Sequence, residues 1–323
     1  MKKAKILTIV LVIVLAATVF AFAGCNNTET DNTLRIALPD GTPCLAMANL
    51  FDGDKNLEGY KLDMNVVGAN LIGNEVLSGK ADIAIMPTNA FAQLYNKGVD
   101  YQIITSNIFG VLYIIGNPET AFELSNLTGK VVSSIGKTNT PEYVFKKILD
   151  YYQIPYVEAS EAVAGKVAIS YVDDGSQAIQ AVKNDEADYA IVGEPAVTNA
   201  ASKGLVNLYD LQEGWSIATG GNSKYPQASL VMKSSLAKDK KFVTALVEKL
   251  YENLEYLKDE ENLANLTSLF AEYGSATTFP AASIANCNVD VKWAYDIKDE
   301  MKTYLGEFGI TLKDDNCFYN YAA

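Results

Sequence analysis

From Ile6 to Phe22 the chain is an unbroken run of uncharged, mostly apolar residues, preceded by three lysines in Met1–Lys5 and closed by Phe22-Ala23-Gly24-Cys25. A basic start, a short apolar core and small residues before a cut site are the physical needs of an export signal. Residues 1–24 are therefore expected to be a signal peptide whose removal exposes Cys25 for lipid attachment. An uncleaved membrane anchor is the alternative, but the apolar stretch sits at the short edge of spanning length. Residues 25–33 are polar, lack apolar periodicity, and read as a lipidated tether.

Beyond residue 33 the pattern alternates between short apolar runs and segments of helical period. Strands are expected at Leu34–Leu38, Lys61–Val67, Asp82–Met86, Gln102–Ser106, Val111–Ile115, Lys166–Ser170 and Ala228–Met232. Helices are expected at Cys44–Leu50, around Ala90–Lys97, at Glu142–Tyr152, Ser176–Val182, Lys240–Leu257 and Glu260–Tyr273, with a helical surface over Asp290–Phe308. Thr42 stands where it can cap the first of these, and Pro43 suits its first turn. Alternation of this kind predicts an α/β fold built on mostly parallel sheets.

One unit recurs. Ala81-Asp82-Ile83-Ala84-Ile85 with Lys97-Gly98 downstream returns as Ala187-Asp188-Tyr189-Ala190-Ile191 with Lys203-Gly204, both pieces displaced by 106 positions. Each copy reads as a buried strand, a loop and a helix closed by glycine, which predicts two lobes of similar construction. The expected division is 34–116 for the first part of lobe 1, 117–215 for lobe 2, and 216–323 for the second part of lobe 1, with its C-terminal helices packed back onto that lobe.

Charge then narrows the partners. The chain has 26 basic and 39 acidic residues, and loss of the three leader lysines leaves 23 against 39, a balance of −16. Such a surface has no basic stripe for nucleic acid and little attraction for anionic lipid, so membrane attachment falls to the lipid on Cys25. Histidine is absent, which removes the commonest general base near neutral pH and the commonest zinc ligand. Of the other cysteines, Cys287 and Cys317 are compatible with a bridge in an exported chain, leaving Cys44 as a packed thiol. No metal, cofactor or catalytic residue is expected.

Several motifs together carry a family resemblance. Ile36-Ala37-Leu38-Pro39-Asp40-Gly41, Ser78-Gly79-Lys80-Ala81-Asp82-Ile83-Ala84, Leu127-Thr128-Gly129-Lys130-Val131-Val132 and Ala187 to Pro195 stand in order behind a segment similar to a bacterial lipoprotein signal. The chain resembles the solute-binding lipoproteins of ABC importers, in the group of sulfonate, nitrate and thiamine-pyrimidine-precursor binders. The resemblance implies a periplasmic-binding-protein-like fold: two α/β lobes, each a mostly parallel sheet flanked by helices, joined by a two-stranded hinge. It implies a monomer that closes on a small organic solute and passes it to an ABC permease and its ATPase, tethered to the outer face of the membrane.

In open α/β sheets, ligands meet the loops at the carboxyl ends of strands. The ligand-binding residues expected on that rule are Thr42, Asn89, Thr138, Asn139 and Glu194, with Tyr113 and Trp215 near the interlobe crossings. Hydroxyls and amides at helix starts hold a solute or cap the helix, and Glu194 is either a ligand carboxylate or a loop acid. Trp215 and Tyr113 either stack on the solute or pack the hinge. The scarcity of arginine, Arg35 alone, favours an amine-bearing, heteroaromatic or zwitterionic solute over an oxyanion. The other readings are a membrane-tethered solute sensor and a carboxylate-dependent hydrolase on the same scaffold.

Overall fold

The computed structural model describes residues 32–119 and 121–322; the expected signal peptide, Cys25 and most of the tether lie outside them. Among the described residues thirteen strands form two sheets. Strands β1 (Thr33–Pro39), β2 (Asn56–Leu57), β3 (Tyr60–Val67), β4 (Ile83–Pro87) and β5 (Tyr101–Phe109) enter the first sheet. The chain then crosses at Gly110-Val111 and lays down β6 (Leu112–Gly116), β7 (Val131–Ile135), β8 (Tyr156–Glu158), β9 (Val167–Val172), β10 (Tyr189–Gly193) and β11 (Val206–Asp210) in the second. It returns through residues 220–225 to add β12 (Pro226–Lys233) and β13 (Val289–Trp293) to the first. The orders are β13-β5-β12-β4-β1-β3-β2 and β11-β6-β10-β7-β9-β8. The first crossing thus precedes residue 116: β6 belongs wholly to the second sheet, because its backbone pairs with β10 and β11.

The recurring unit has a structural basis. In the first sheet β4 lies parallel to β1 and antiparallel to β12; in the second β10 lies parallel to β7 and antiparallel to β6. Asp82 donates its backbone N–H to the Arg35 carbonyl and accepts the Arg35 N–H on its carboxylate. Asp188 does the same with Val131. Each carboxylate also takes a lysine, Lys233 at 2.8 Å and Lys130 at 3.0 Å. The repeated aspartate therefore starts the parallel pairing, satisfying a strand-end N–H that otherwise has no partner.

Helices cover the sheets: α1 (Thr42–Leu45), α2 (Ala48–Asp52), α3 (Ile72–Leu77), α4 (Thr88–Asn96), α5 (Thr140–Tyr151), α6 (Gly175–Lys183), α7 (Ala196–Ala201) and α8 (Leu211–Thr219). After β12 come α9 (Lys240–Tyr256), α10 (Glu260–Ala271), α11 (Ala281–Ile284) and α12 (Lys298–Gly306). Among the described residues no helix is long and apolar enough to cross a membrane.

Three sequence expectations change. The single helix over Cys44–Leu50 is two short ones, and its cap is Gly41 rather than Thr42, whose hydroxyl bonds elsewhere. The start of Asp290–Phe308 is strand β13, because Val289-Asp290-Val291-Lys292-Trp293 alternates with period two and pairs with β5. The C-terminal helices divide: α9 and α10 bury Phe242, Leu246, Leu250, Leu266 and Phe270 in the first lobe. Helix α12 instead buries Met301 against the first lobe and Tyr304 and Leu305 against the second.

Candidate ligand site between the lobes

The carboxyl ends of β1, β4, β7 and β10 point to one junction, where the lobes meet through polar groups. Thr42 Oγ1 donates to the Glu194 carbonyl, and Thr140 Oγ1 donates to Asn89 Oδ1 at 3.1 Å. Thr140 also shares a 3.1 Å hydrogen bond with the Tyr304 hydroxyl. Further out, Asn199 Nδ2 on α7 donates to the Thr278 carbonyl at 2.9 Å. That loop is anchored on Asp40, whose carboxylate accepts from Ser275 Oγ and the Ala276 N–H. The lobes are closed on one another by hydrogen bonds from both sides.

The junction and the strands leading to it carry many buried, uncharged polar groups. Thr42, Thr88, Asn89, Thr105, Ser106, Asn107, Ser133, Ser134, Thr140 and Ser229 are all buried. Thr88 and Ser229 share a 2.8 Å bond, and Thr105 donates to Asn107 Oδ1 at 2.9 Å. Asn89 Nδ2, Asn107 Nδ2 and Ser133 Oγ nevertheless have no protein partner. A buried donor left unpaired costs about 1–3 kcal/mol, so such groups mark where a bound molecule or ordered water completes the network.

Of the residues singled out from sequence, the structure brings Thr42, Asn89 and Glu194 into this junction. Glu194 is buried, but its carboxylate is turned onto its own helix: Oε2 accepts the Thr198 N–H and Oε1 the Thr198 hydroxyl, each at 3.1 Å. Its backbone joins the hinge, the N–H donating to the Val111 carbonyl. Tyr113 is half-buried, and burial, with Asp210 and Glu194 adding to it, pushes its hydroxyl up to about 12, so it is a donor at neutral pH. Asn139 precedes α5 without a side-chain cap bond, and Thr138 is exposed, its N–H held by Glu142. Trp215 is fully packed, its ring against Tyr225, Tyr304 and Phe308; this is hinge packing.

Not singled out from sequence were Asn107 and Thr140, which lie within the ligand loops expected at Ser106–Asn107 and Gly136–Thr140, and Ser229 and Tyr304, the latter on a helix that pattern alone assigned to the first lobe. Gln212 was also invisible: its Oε1 accepts the Leu112 N–H at 2.7 Å and the Tyr225 hydroxyl at 3.2 Å, tying both interlobe crossings together. The thiols of Cys44, Cys287 and Cys317 are free and buried. The Cys287–Cys317 bridge does not form, because Cys287 packs in the α9–α10 core and Cys317 in the separate core under α4. Among the described residues no cluster of potential metal ligands occurs.

No protein-family model matches the chain, and no curated protein matches it. Solved structures do. A Parabacteroides distasonis protein described as an ABC transporter superposes with a TM-score of 0.69 at 18% identity, covering 90% of this chain and 99% of its own. The periplasmic aliphatic sulphonate binding protein of Escherichia coli superposes with a TM-score of 0.66 at 13% identity, covering 86% and 87%. The alkanesulfonate-binding protein of Xanthomonas axonopodis pv. citri, bound to MOPS, gives 0.59 at 14% identity over 89% and 96%. At these identities the likeness establishes the fold: this chain has the two-lobed architecture of periplasmic binding proteins.

Proposed function

We propose that the protein is an extracytoplasmic solute-binding lipoprotein, which encloses one small polar organic solute between its lobes and delivers it to an ABC importer. The observation that carries the reading is the Asn89 amide: wholly buried at the interlobe junction, bonded to the opposite lobe through Oδ1, and unpaired at Nδ2. A group so placed is satisfied by a ligand and at the same moment reports closure. The shared fold and the export signal read from residues 1–24 support the same conclusion. A lipid on Cys25 would hold the binder at high local concentration beside its permease.

The solute is expected to be neutral, zwitterionic or amine-bearing, since the buried polar residues of the junction include neither lysine nor arginine. The test is a thermal-shift screen of the full-length protein against sulfonates, aminopyrimidines, amino acids and the growth-medium extract. A ligand specific to the native state raises the melting temperature. A melt unmoved by every class would remove the support for solute binding.

A further inference from the structure

Behind the hinge lies a hollow of about 230 Å³, which meets the interlobe network at Tyr304, whose hydroxyl bonds Thr140. It is lined by Trp215 and Thr219 of α8, Tyr225 of the returning crossing, and Glu300, Thr303 and Tyr304 of α12. Tyr225 and Tyr304 stack at 5.4 Å with an interplanar angle of 6°, and Trp215 meets both rings at 5.3 and 5.7 Å. Two carboxylates, Glu300 and Glu307, line the hollow. Glu307 is already neutralised by Lys147 at 2.7 Å. Glu300 Oε1, by contrast, is shielded from solvent and has no hydrogen-bond partner.

From this arrangement we infer a second binding site, for a small organic ammonium ion such as a choline-type headgroup. Aromatic rings attract cations through their quadrupole, most strongly when the cation is desolvated, and groups of such rings are how quaternary ammonium ions are recognised. The unpaired carboxylate supplies the opposing charge at one side of the rings. A bare alkali ion does not fit this chemistry, because apolar ring faces and one carboxylate cannot replace its hydration shell. Occupancy would join α8 of the second lobe, the second crossing and α12, which packs on both lobes, so the site acts on the hinge.

Trp215 is its own reporter, since the chain has two tryptophans and the other, Trp293, packs against Tyr319 and Tyr321. The full-length protein carrying Trp293→Phe is titrated with choline, with potassium chloride at matched ionic strength, and with dimethylbutanol as the neutral carbon isostere. Saturable change in Trp215 emission is expected with choline alone. Calorimetry on the unsubstituted protein should give the same affinity. Glu300→Gln, nearly isosteric, should weaken binding by roughly tenfold or more, the scale of a partly buried charge pair. Thr42→Val, which removes a hydroxyl bonded to the Glu194 carbonyl and not to the Tyr304 network, should leave the choline titration unchanged, which separates this site from the solute cleft. Equal binding of the neutral isostere, an unaffected Glu300→Gln variant, or no saturation with choline would each overturn the inference.

Discussion

Asn89→Ala puts the interlobe reading at risk most directly. In the ligand-free closed form the substitution removes one hydrogen bond, Thr140 Oγ1 to Asn89 Oδ1 at 3.1 Å, a loss of about 1 kcal/mol. Thr140 keeps the Tyr304 hydroxyl as a partner, so no new orphan is made. The same substitution deletes the unpaired Nδ2, relieving about 1–3 kcal/mol of desolvation. The second term equals or exceeds the first, so ligand-free stability should be unchanged or rise by up to about 2 kcal/mol, about 3 °C in melting temperature at ~2.1 cal/mol/K of unfolding entropy per residue over roughly 290 ordered residues. With solute bound the sum differs, because the variant lacks a donor that the native protein uses. Affinity should fall by about tenfold, the worth of one hydrogen bond in a buried site. Differential scanning fluorimetry gives the first quantity, and calorimetry with a solute found by screening gives the second. A ligand-free melt lowered by about 3 °C or more, the loss of two satisfied hydrogen bonds, would show that Nδ2 was already satisfied. Unchanged affinity would remove Asn89 from the site.

Gly110 sits at the first crossing with φ +51°, and a Cβ there would lie 2.7 Å from Gln212 Cγ and 2.8 Å from the Ser223 carbonyl oxygen. Gly110→Ala should cost about 2–4 kcal/mol from left-handed backbone and overpacking together, whereas Gly129→Ala, at φ +79° in open space, should cost only about 1 kcal/mol; chemical denaturation of the two variants checks the ranking. Melting temperature should be flat between about pH 6 and 8, since no histidine titrates there, and fall as pH rises above about 9. Burial pushes up the Cys44 and Cys287 thiols and the Tyr225 and Tyr304 hydroxyls, and takes Cys317 and Tyr101 to about 12, so the stability held below their ordinary values is lost through the alkaline range. A flat profile to pH 11 would refute that burial. In the folded protein Cys44, Cys287 and Cys317 should resist a thiol-specific dye and all three should label after denaturation, as mass spectrometry would count.

The sequence was most legible where a short-range rule acts alone. The Ala-Asp-strand unit was readable because both copies solve the same local problem, an N–H at the start of a parallel pair that needs a carboxylate. Helix α9 and strands β4 and β10 were readable from periodicity. Thr42 and Asn89, picked because ligands collect at the carboxyl ends of strands, make hydrogen bonds across the interlobe junction. Thr138, picked by the same rule, is exposed on a backbone at φ +62°, while Thr140, at the end of the same loop, supplies the hydroxyl at the junction.

By itself, then, the sequence determined the α/β class, the doubled architecture, the acidic surface and the loops from which a site could be built. Each follows from charge, period or local chain direction. Only the tertiary structure decided which of those loops meet. It sent the carboxylate of Glu194 back onto Thr198, packed Trp215 into the hinge, kept Cys287 apart from Cys317, and brought α12 across both lobes. Those outcomes depend on contacts between residues far apart in the chain, where many partners satisfy the same local pattern and packing selects one.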